Sequence, residues 1–495
     1  MPHFILAIDQ GTTGSTALVM DTDGKTLGRA NVEFPQHYPQ PGWVEHEPDD
    51  IWNSVVSAIG KALDQASILG HQIEAIGITN QRETTVVWNR SNGMPIHRAI
   101  VWQCRRTAQR CATLKQQGNQ DRVRQQTGLV IDPYFSGTKI TWLLDEVAGA
   151  RKQADQGQLA FGTIDSYLTY RLTGGRVHVT DVSNASRTLL MNLHDLRWDE
   201  SMCELFDVPP SVLPTIVGSA ERVGETHGVP GLPDGIPITG MAGDQHAALF
   251  GQQCLDVGDV KCTYGTGAFV LVNTGNRPVP SRFGLLTTVG WKIGADIVYA
   301  LEGSAFIAGA AVQWLRDGLG LIRSASEIES LARKVPSSDG VVLVPALAGL
   351  GAPYWNADAR GLITGITRGT TAAHLAYATL EGIAHEVSDL LEAMRDDMGK
   401  PMGRIRVDGA AAANDLLMQM QADLAGIIVE RPKELETTAR GAAMLAAIGL
   451  GVIDSPKKAS GMFMVNRVFQ VEQTKEQRDK RRNAWSQAVR RAQTT

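Results

Sequence analysis

Two stretches of this chain share one pattern, and their separation constrains the fold more than any other feature of the sequence. "AIDQGTTGSTALVM" (residues 7–20) and "VKCTYGTGAFVLVN" (260–273) each contain a β-rich run, a turn of Gly and Thr, and a second β-rich run. The two turns begin at Gly11 and Gly265, about half of the 495-residue chain apart. Because a unit repeated at half the chain length indicates related domains, we expect two similar α/β halves that face a shared cleft.

The first turn has the composition of a phosphate-binding loop. Two predicted strands, 4–8 and 16–20, are joined by a turn that contains Gly11, Thr12, Thr13 and Gly14. Glycines allow several backbone N–H groups to point at one ligand, and threonine hydroxyls add donors. Asp9 is a candidate to hold the Mg²⁺ that accompanies phosphates. An ordinary hairpin turn has a similar composition, but the second copy favours the phosphate-binding interpretation.

A different phosphate motif is excluded nearby. "GKT" (24–26) looks like the end of a Walker A loop, but Val19 stands where the first glycine of that loop would be. The preceding "DG" predicts a tight hairpin turn instead.

Composition and charge narrow the class of protein. The net charge of −5, with both signs spread along the chain, gives no indication of a nucleic-acid partner. The five cysteines are scattered and never spaced C-x-x-C, so we expect neither disulfides nor zinc, and a reducing cytoplasm. No secretory signal fits the N-terminal run, and the apolar stretch 441–453 is too short to cross a membrane. This stretch predicts a buried helix.

The order of patterns along the chain predicts α/β layering in both halves. Apolar residues at fourfold spacing over 51–63 predict a helix, "IEAIGIT" (73–79) predicts a strand, and "RDKRR" (478–482) predicts the solvated face of a final helix. No Pro-, Gly- or Ser-rich linker divides the chain. We therefore place the domain boundary at a hinge near residue 250, which gives domains 1–250 and 251–495.

Two polar pairs follow predicted strands. Arg82 and Glu83 offer a donor fork beside an acceptor pair, which suits neighbouring hydroxyls of a polyol; a surface ion pair is the alternative. In "GMAGDQHAALFG" (240–251), Asp244 stands between a strand and a helix. It could cap that helix or accept the proton of a substrate hydroxyl, and a loose phosphoryl-transfer transition state makes its ordinary acidity acceptable for that role.

A third segment is compatible with a flat ligand. "DGAAAANDLL" (408–417) has small residues between a predicted strand and helix, so the backbone can approach adenine and ribose. Close helix packing would require the same residues.

Motifs from nearly the whole chain, residues 5 to about 451, resemble the FGGY carbohydrate kinases of the actin and hexokinase superfamily, and in particular those that phosphorylate glycerol. They are "DQGTT", "GWVEHEP", "GITNQRETT", "IVWQCRRT", "GLVIDPYFSGTK", "GRVHVTDVSNASRT", "AGDQ", "YGTGAF", "GLGAPYW" and "TLEGIA". The resemblance implies two related actin-like ATPase domains, with ribonuclease H-like mixed sheets flanked by helices, around a central cleft.

The implied reaction is transfer of the γ-phosphoryl group of ATP to glycerol, which gives sn-glycerol 3-phosphate. By the family pattern, Asp244 is the base, and the glycerol hydroxyls contact Arg82, Glu83, Tyr134, Asp244 and Gln245. Trp102 and Phe269 pack on the carbon chain. The residues implied along the nucleotide are Thr12, Thr13, Gly14, Thr266, Gly309, Gln313, Ala410 and Asn414, with Asp9 placing Mg²⁺. A homo-oligomer, either a dimer or a tetramer, is compatible with the resemblance.

The chain departs from the family pattern at four positions. Gly14 and Thr16 replace a common serine and arginine, Ala410 replaces the second glycine of "DGGA", and His246 replaces a glutamine. We expect these changes to affect nucleotide affinity more than substrate binding. At Ala410 we expect a negative φ, which alanine tolerates.

Three other classes of function are alternatives to this one. A kinase for another polyol or a ketose shares the fold, but Arg82, Glu83 and the segment around Trp102 favour glycerol. A sugar-sensing regulator would need a DNA-binding segment. A chaperone-like ATPase would need a peptide-binding domain after the two lobes.

Overall fold

Two mixed β-sheets form the frame of the structure, a computed structural model that describes residues 3–494. The strands of the first sheet are β1 (Phe4–Gln10), β2 (Gly14–Asp21), β3 (Thr26–Glu33), β4 (Ile73–Asn80), β5 (Gly224–Glu225) and β6 (Pro237–Gly243). Those of the second are β7 (Val260–Tyr264), β8 (Ala268–Gly275), β9 (Leu286–Ile293), β10 (Asp296–Ala305), β11 (Ile405–Asp408), β12 (Val429–Pro432) and β13 (Val465–Phe469). The first sheet has the order β5-β6-β4-β1-β2-β3 and the second has the order β9-β10-β8-β7-β11-β12-β13.

The two sheets have the same central topology. In the first, β1, β2 and β3 pair antiparallel, and β4 and β6 continue the sheet parallel to β1. In the second, β7, β8 and β10 pair antiparallel, and β11 and β12 continue it parallel to β7. The prediction of two related mixed α/β halves is therefore confirmed. The sheets lie on either side of residue 250, but a domain boundary there stays a prediction.

Helices cover both sheets. They are α1 (Pro48–Ala66), α2 (Ala108–Gln116), α3 (Gln120–Thr127), α4 (Ser136–Glu146), α5 (Ala150–Asp155), α6 (Ile164–Leu172), α7 (Val182–Ala185), α8 (Glu200–Leu205), α9 (Asp244–Gly251), α10 (Gly309–Asp317), α11 (Glu327–Ala332), α12 (Ala372–Met398), α13 (Asp415–Ala425), α14 (Thr437–Leu450), α15 (Pro456–Ala459) and α16 (Lys475–Ala492). Two-stranded pairs join Glu45–His46 to Ala99–Ile100, Val86–Asn89 to Leu159–Gly162, Val179–Asp181 to Thr215–Val217, Met191–Asn192 to Arg197–Trp198, and Val342–Val344 to Leu362–Thr364. Within residues 3–494, none of the helices has the length and apolar character that crossing a bilayer requires.

Two helices lie between the sheets. α14 packs on β1, β4 and β6 and on α9, while α9 also contacts β7, β8 and β9. Glycines make the approach of α14 possible, because a Cβ at Gly77 would lie 2.2 Å from the carbonyl oxygen of Ala442 and one at Gly240 would lie 2.4 Å from the nitrogen of Ala446. The stretch predicted as a buried helix thus joins the two halves.

The first hairpin differs slightly from its prediction. β1 continues through Gln10, so Asp9 lies within the strand, opposite Thr16. The turn is correspondingly short, and Gly14 is already the first residue of β2, paired with Glu33. At the next turn, Gly24 has a φ of 83°, which confirms the hairpin that "DG" predicts.

The prediction of a solvated face for "RDKRR" is wrong for two of its arginines. Arg481 and Arg482 of α16 are half-buried against α12. The Nε atom of Arg481 donates to Glu381 at 2.7 Å, and that of Arg482 donates to Glu392 at 3.1 Å. Carboxylates of a helix about 90 residues away in sequence cannot be recognised from local charge, so the contact was missed.

Candidate active site

The strand ends of the first sheet bring Arg82 and Asp244 together. β4 and β6 are parallel neighbours, with Asn80 opposite Gly243, so the residues that follow them lie at the same edge of the sheet. The Nε atom of Arg82 lies 3.0 Å from Oδ1 of Asp244. The Arg82 side chain is 2% exposed and that of Asp244 is 29% exposed. The Asp244 carboxylate therefore contacts the buried guanidinium of Arg82 on one side and is partly exposed on the other.

Asp244 does not occupy the capping position of its helix. Gly243 is the N-cap residue of α9, and no side chain caps it. Asp244 is the first helical residue, and its Oδ1 atom accepts the N–H of Gln245 at 2.7 Å. A carboxylate in this first turn is favoured by the helix dipole, and its oxygens stay close to the strand ends.

A buried network of charges holds Arg82. Its two Nη atoms donate to the carboxylate of Glu302 at 2.5 and 3.0 Å. Arg187 joins the same carboxylate at 3.0 Å and donates to Glu83 at 2.6 Å. Burial opposes ionisation of Glu302, but the guanidinium groups of Arg187 and Arg82 hold its pKa well below the ordinary value. The alternative of a surface ion pair between Arg82 and Glu83 is wrong, because both side chains are buried.

Arg187 and Glu302 were not singled out as site residues in the sequence. Arg187 lies in the family-like stretch 175–188, where its position was a usable signal. Glu302 belongs to β10 of the second sheet, and nothing in the sequence around it indicates a role in the site. Glu83 also has a φ of 60°, a left-handed conformation that non-glycine residues adopt mostly at constrained sites.

Aromatic rings from both halves form a series of contacts that begins at Arg82. The Tyr134 hydroxyl accepts from Nη2 of Arg82 at 3.4 Å, and its ring packs edge-on against Trp102 with centroids 5.6 Å apart. Trp102 also faces Phe269 of β8 at 6.4 Å. Its indole N–H donates to the Thr12 hydroxyl at 3.0 Å. The first turn and residues of both sheets thus meet at one place.

A buried lysine lies behind Gln245. The Nζ atom of Lys261 donates to the side-chain oxygen of Gln245 and, at 2.9 Å, to the hydroxyl of Thr263. Burial lowers the pKa of Lys261 from its ordinary value. The neighbouring Asp408 is buried, and its Oδ1 atom has no hydrogen-bond partner among the described residues. Sequence reasoning missed Lys261, since a lysine in a strand is usually exposed.

Most residues predicted along the nucleotide gather around the second turn. The N–H of Gly309 donates to the carbonyl of Gly265 at 2.9 Å, and a Cβ at Gly309 would lie 2.6 Å from that oxygen. α10 therefore starts directly on the turn that carries Thr266. The side chain of Thr266 is exposed, and so is that of Gln313, which lies one helical turn after Gly309. The N–H groups of Ala308 and Ala310 likewise donate to the carbonyl of Thr266, at 2.8 and 3.1 Å, so the start of α10 is hydrogen-bonded to this turn.

The segment after β11 borders the same turn. Gly409 has a φ of 83°, and a Cβ there would lie 2.5 Å from the carbonyl oxygen of Tyr264. Ala410 is exposed, has a negative φ as expected, and begins a short 3₁₀ helix, Ala410–Ala413. The side chain of Asn414 caps α13 by accepting the N–H of Leu417 at 2.9 Å. Asn414 thus has a structural role, and its contact with a nucleotide stays a prediction.

Asp9 is in a suitable environment for a divalent cation. Burial, and after it the carboxylates of Asp244 and Glu436, raise the pKa of Asp9 to about 8. A bound cation would offset this repulsion between like charges. Among residues 3–494, no cluster of three His, Cys, Asp or Glu could hold a metal alone. Mg²⁺ usually takes one or two carboxylates, with waters and substrate phosphates as its other ligands.

The departures from the family pattern have local explanations. The Thr16 hydroxyl accepts from the Asn31 amide at 2.9 Å, and a Cβ at Gly14 would lie 3.0 Å from the carbonyl oxygen of Val32. His246 is fully buried, with Nε2 3.2 Å from the Thr288 hydroxyl. Burial lowers the pKa of His246, and the positive charge of Arg82 lowers it further. This histidine therefore borders the Arg82 network rather than either Gly-Thr turn.

Comparison with family models decides the assignment. The N-terminal domain model of the FGGY family of carbohydrate kinases matches residues 4–251, and the C-terminal domain model matches residues 260–450. The chain belongs to the FGGY family of carbohydrate kinases.

Within this family, glycerol kinases are among the most similar relatives. A glycerol kinase from Myxococcus xanthus (strain DK1622) is 55% identical over 491 residues, which cover 99% of each chain. The crystal structure of Plasmodium falciparum glycerol kinase with ADP superposes with a TM-score of 0.93 at 36% identity, over 99% of this chain and 98% of that one. A ligand-bound xylulose kinase from Lactobacillus acidophilus has a TM-score of 0.87 at 20% identity, over 99% and 97% of the two chains. At this level of identity, the similarity to the xylulose kinase shows only that the two proteins share a fold.

Proposed function

We propose that this FGGY kinase transfers the γ-phosphoryl group of ATP to glycerol and releases sn-glycerol 3-phosphate and ADP. The observation that carries the proposal is the partly exposed carboxylate of Asp244, 3.0 Å from the buried Arg82. The same guanidinium contacts the Tyr134 hydroxyl, and Tyr134 packs on Trp102, which in turn packs on Phe269. The similarity to glycerol kinases supports the choice of acceptor.

The polar groups of the site suit a small triol. Each glycerol hydroxyl both donates and accepts, so it needs a donor and an acceptor beside it. Arg82 has five N–H donors, of which the carboxylate of Glu302 takes two. Nη2 also donates to Tyr134, and Nε lies against Asp244. The remaining Nη1 donor, the carboxylates of Glu83 and Asp244 and the amide of Gln245 are assigned to the hydroxyls. Trp102 and Phe269 are assigned to the carbon chain, and we expect a longer sugar to fit poorly past them.

Asp244 is assigned as the base. It accepts the proton of the attacking hydroxyl as the phosphoryl group transfers, and that proton leaves late in a loose transition state. Arg82 keeps the carboxylate in place without neutralising it by proton transfer, because guanidinium does not lose its proton in proteins.

The two Gly-Thr turns are assigned to the phosphates of ATP. Thr12 and Thr13 lie on the first turn and Thr266 on the second, with Gly309 and Gln313 adjacent to the second turn. Ala410 is assigned to the adenosine end. Asp9 would hold Mg²⁺, which neutralises charge on the phosphates when bound.

The two halves, 1–250 and 251–495, are assigned as domains that close on the ligands. Closure around both substrates excludes water from the γ-phosphate. The five free, buried cysteines support a location in the reducing cytoplasm.

A coupled ADP-release assay of the purified protein against glycerol, longer polyols, ketoses and gluconate tests the proposal. We expect glycerol to give the highest kcat/KM. A higher value for xylulose or gluconate would overturn the assignment and favour a kinase of another sugar with the same fold.

A further inference from the structure

Asp181 is a buried carboxylate that no step of the proposed reaction uses. It ends the strand Val179–Asp181 and precedes α7. Its two oxygens accept five hydrogen bonds, from the backbone N–H groups of Ser183 and Asn184 at 3.0 Å, the Ser183 hydroxyl at 2.9 Å, the Asn184 amide at 2.9 Å and the Ser219 hydroxyl at 2.8 Å. Every partner is a donor, so the position requires an acceptor with two oxygens.

The first connection leads from Asp181 to Asp244. The Ser183 hydroxyl donates to Asp181 and accepts the N–H of Gly243 at 2.9 Å. The single proton of the Ser183 hydroxyl is donated to the Asp181 carboxylate, so the hydroxyl oxygen is oriented to accept from Gly243. Gly243 is the last residue of β6 and the N-cap of α9, so this hydrogen bond fixes the backbone immediately before Asp244.

The second connection leads to Arg82. The Asn184 side chain forms a reciprocal pair with Asn80, with both N···O distances 3.1 Å. Asp181 accepts from Nδ2 of Asn184, which determines which way this amide points and therefore the orientation of Asn80. Asn80 ends β4 and also donates to the carbonyl of Gln81 at 3.0 Å, next to Arg82.

We propose that Asp181 is a positioning residue that sets the geometry of Asp244 and Arg82 by joining the ends of β6 and β4 through Ser183 and Asn184. The proposal deepens the proposed function and rests on Asp244 being the base of that reaction. Asp181 itself is fully buried and acts only through its neighbours. Misplacement of a reacting group by about 1 Å, caused by a change outside the site, can cost about 10²-fold in rate.

The substitution Asp181→Asn keeps the shape but replaces one acceptor oxygen with an NH₂ donor that faces other donors. We expect kcat to fall about 10- to 100-fold, with KM for ATP within about threefold of wild type, because the hydrogen bonds of Asp181 within residues 3–494 go to Ser183, Asn184 and Ser219 and not to the second turn or α10. Ser183→Ala removes the hydroxyl that links Asp181 to Gly243 and leaves the connection through Asn184 in place, so it should reproduce a large part of the fall in kcat. A purely structural defect would lower the melting temperature without this separation of kcat from KM.

Asp165→Asn is the matched control. Asp165 is also fully buried, and its carboxylate accepts from the hydroxyls of Thr163 and Thr180. In the part of the chain that the structure describes, these side chains form no hydrogen bond to β4 or β6, so kcat should stay within about threefold even where the melting temperature falls.

The double variant completes the test. If Asp181 acts through Ser183, the combined loss should be clearly smaller than the product of the two single losses. All variants are assayed with the acceptor that the wild type phosphorylates best, so failure of glycerol as substrate is distinguished from failure of this proposal. Ser183→Ala within threefold of wild-type kcat, or Asp181→Asn no worse than Asp165→Asn, would overturn it. Where Asp181→Asn does not fold, Ser183→Ala alone decides.

Discussion

Nη1 of Arg82 lies 2.5 Å from Oε2 of Glu302, although 220 residues separate them in the chain. Arg82 follows β4 of the first sheet, and Glu302 belongs to β10 of the second. A buried ion pair therefore joins the two halves directly behind Asp244. Its charge balance depends on Arg187 and Glu83 as well, so each member is compensated only while the others are present.

Replacement of Glu302 by Gln should destabilise the protein strongly. Removing one partner of a buried ion pair typically costs about 3–5 kcal/mol, because the other charge stays buried without compensation. Urea unfolding at neutral pH measures the loss. Glu225→Gln, which breaks an exposed pair with Arg222, is the control and should change the free energy of unfolding by no more than about 1 kcal/mol. Equal effects of the two substitutions would contradict the account.

The lowered pKa of Glu302 makes the stability of the folded protein depend on pH. The pKa of Glu302 is lowered in the folded state, where burial opposes the shift but Arg187 and Arg82 outweigh it. Its contribution to stability is therefore complete above the pKa of the unfolded chain and is lost as the pH falls below that value. Stability curves of wild type and Glu302→Gln should converge at acidic pH; a constant difference would refute this origin.

Replacement of Ala410 by Gly should improve ATP binding with little change in stability. Ala410 has a negative φ and an exposed methyl group beside the second turn, so glycine relieves crowding without relieving strain. We expect KM for ATP to fall roughly two- to tenfold, equivalent to about 0.4–1.4 kcal/mol. KM for glycerol should not move. Steady-state kinetics with each substrate varied in turn check this prediction. An unchanged or raised KM for ATP would show that Ala410 does not border the adenosine site.

What could be predicted from the sequence was local in character. The Gly-Thr turns, the strand before Arg82 and the strand before Asp244 have short-range signals, and the structure contains all of them. Residues with long-range partners could not be found in this way. Glu302 and Lys261 belong to the second sheet but contact residues that follow strands of the first. Nothing near them in sequence indicates a partner that only the topology brings close.

Replacement of Asp9 by Asn should weaken the response to Mg²⁺ without destabilising the protein free of ligands. Burial and the carboxylate of Asp244 disfavour the charge of Asp9, as its raised pKa indicates, so its loss costs the empty site little. We expect a lower kcat and a higher Mg²⁺ requirement, measured by titrating Mg²⁺ at constant ATP, with a melting temperature no lower than that of wild type. An unchanged Mg²⁺ requirement would exclude Asp9 as a ligand.

Glycerol and ATP together should contract the molecule. Thr12 and Thr266 lie on turns of different sheets, so one nucleotide that contacts both holds the halves closer together. Small-angle scattering should give a smaller radius of gyration with glycerol and a non-hydrolysable ATP analogue than without ligands. Identical profiles would count against closure.

Replacement of Asp244 by Asn tests the central claim most directly, because it keeps the shape of the side chain and removes the proton acceptor. Base catalysis typically contributes about 10²- to 10⁴-fold in rate. The account predicts that kcat for glycerol phosphorylation falls by that order while the affinity for ATP, measured by calorimetry, is retained. A kcat within about threefold of wild type would show that Asp244 is not the base of this reaction.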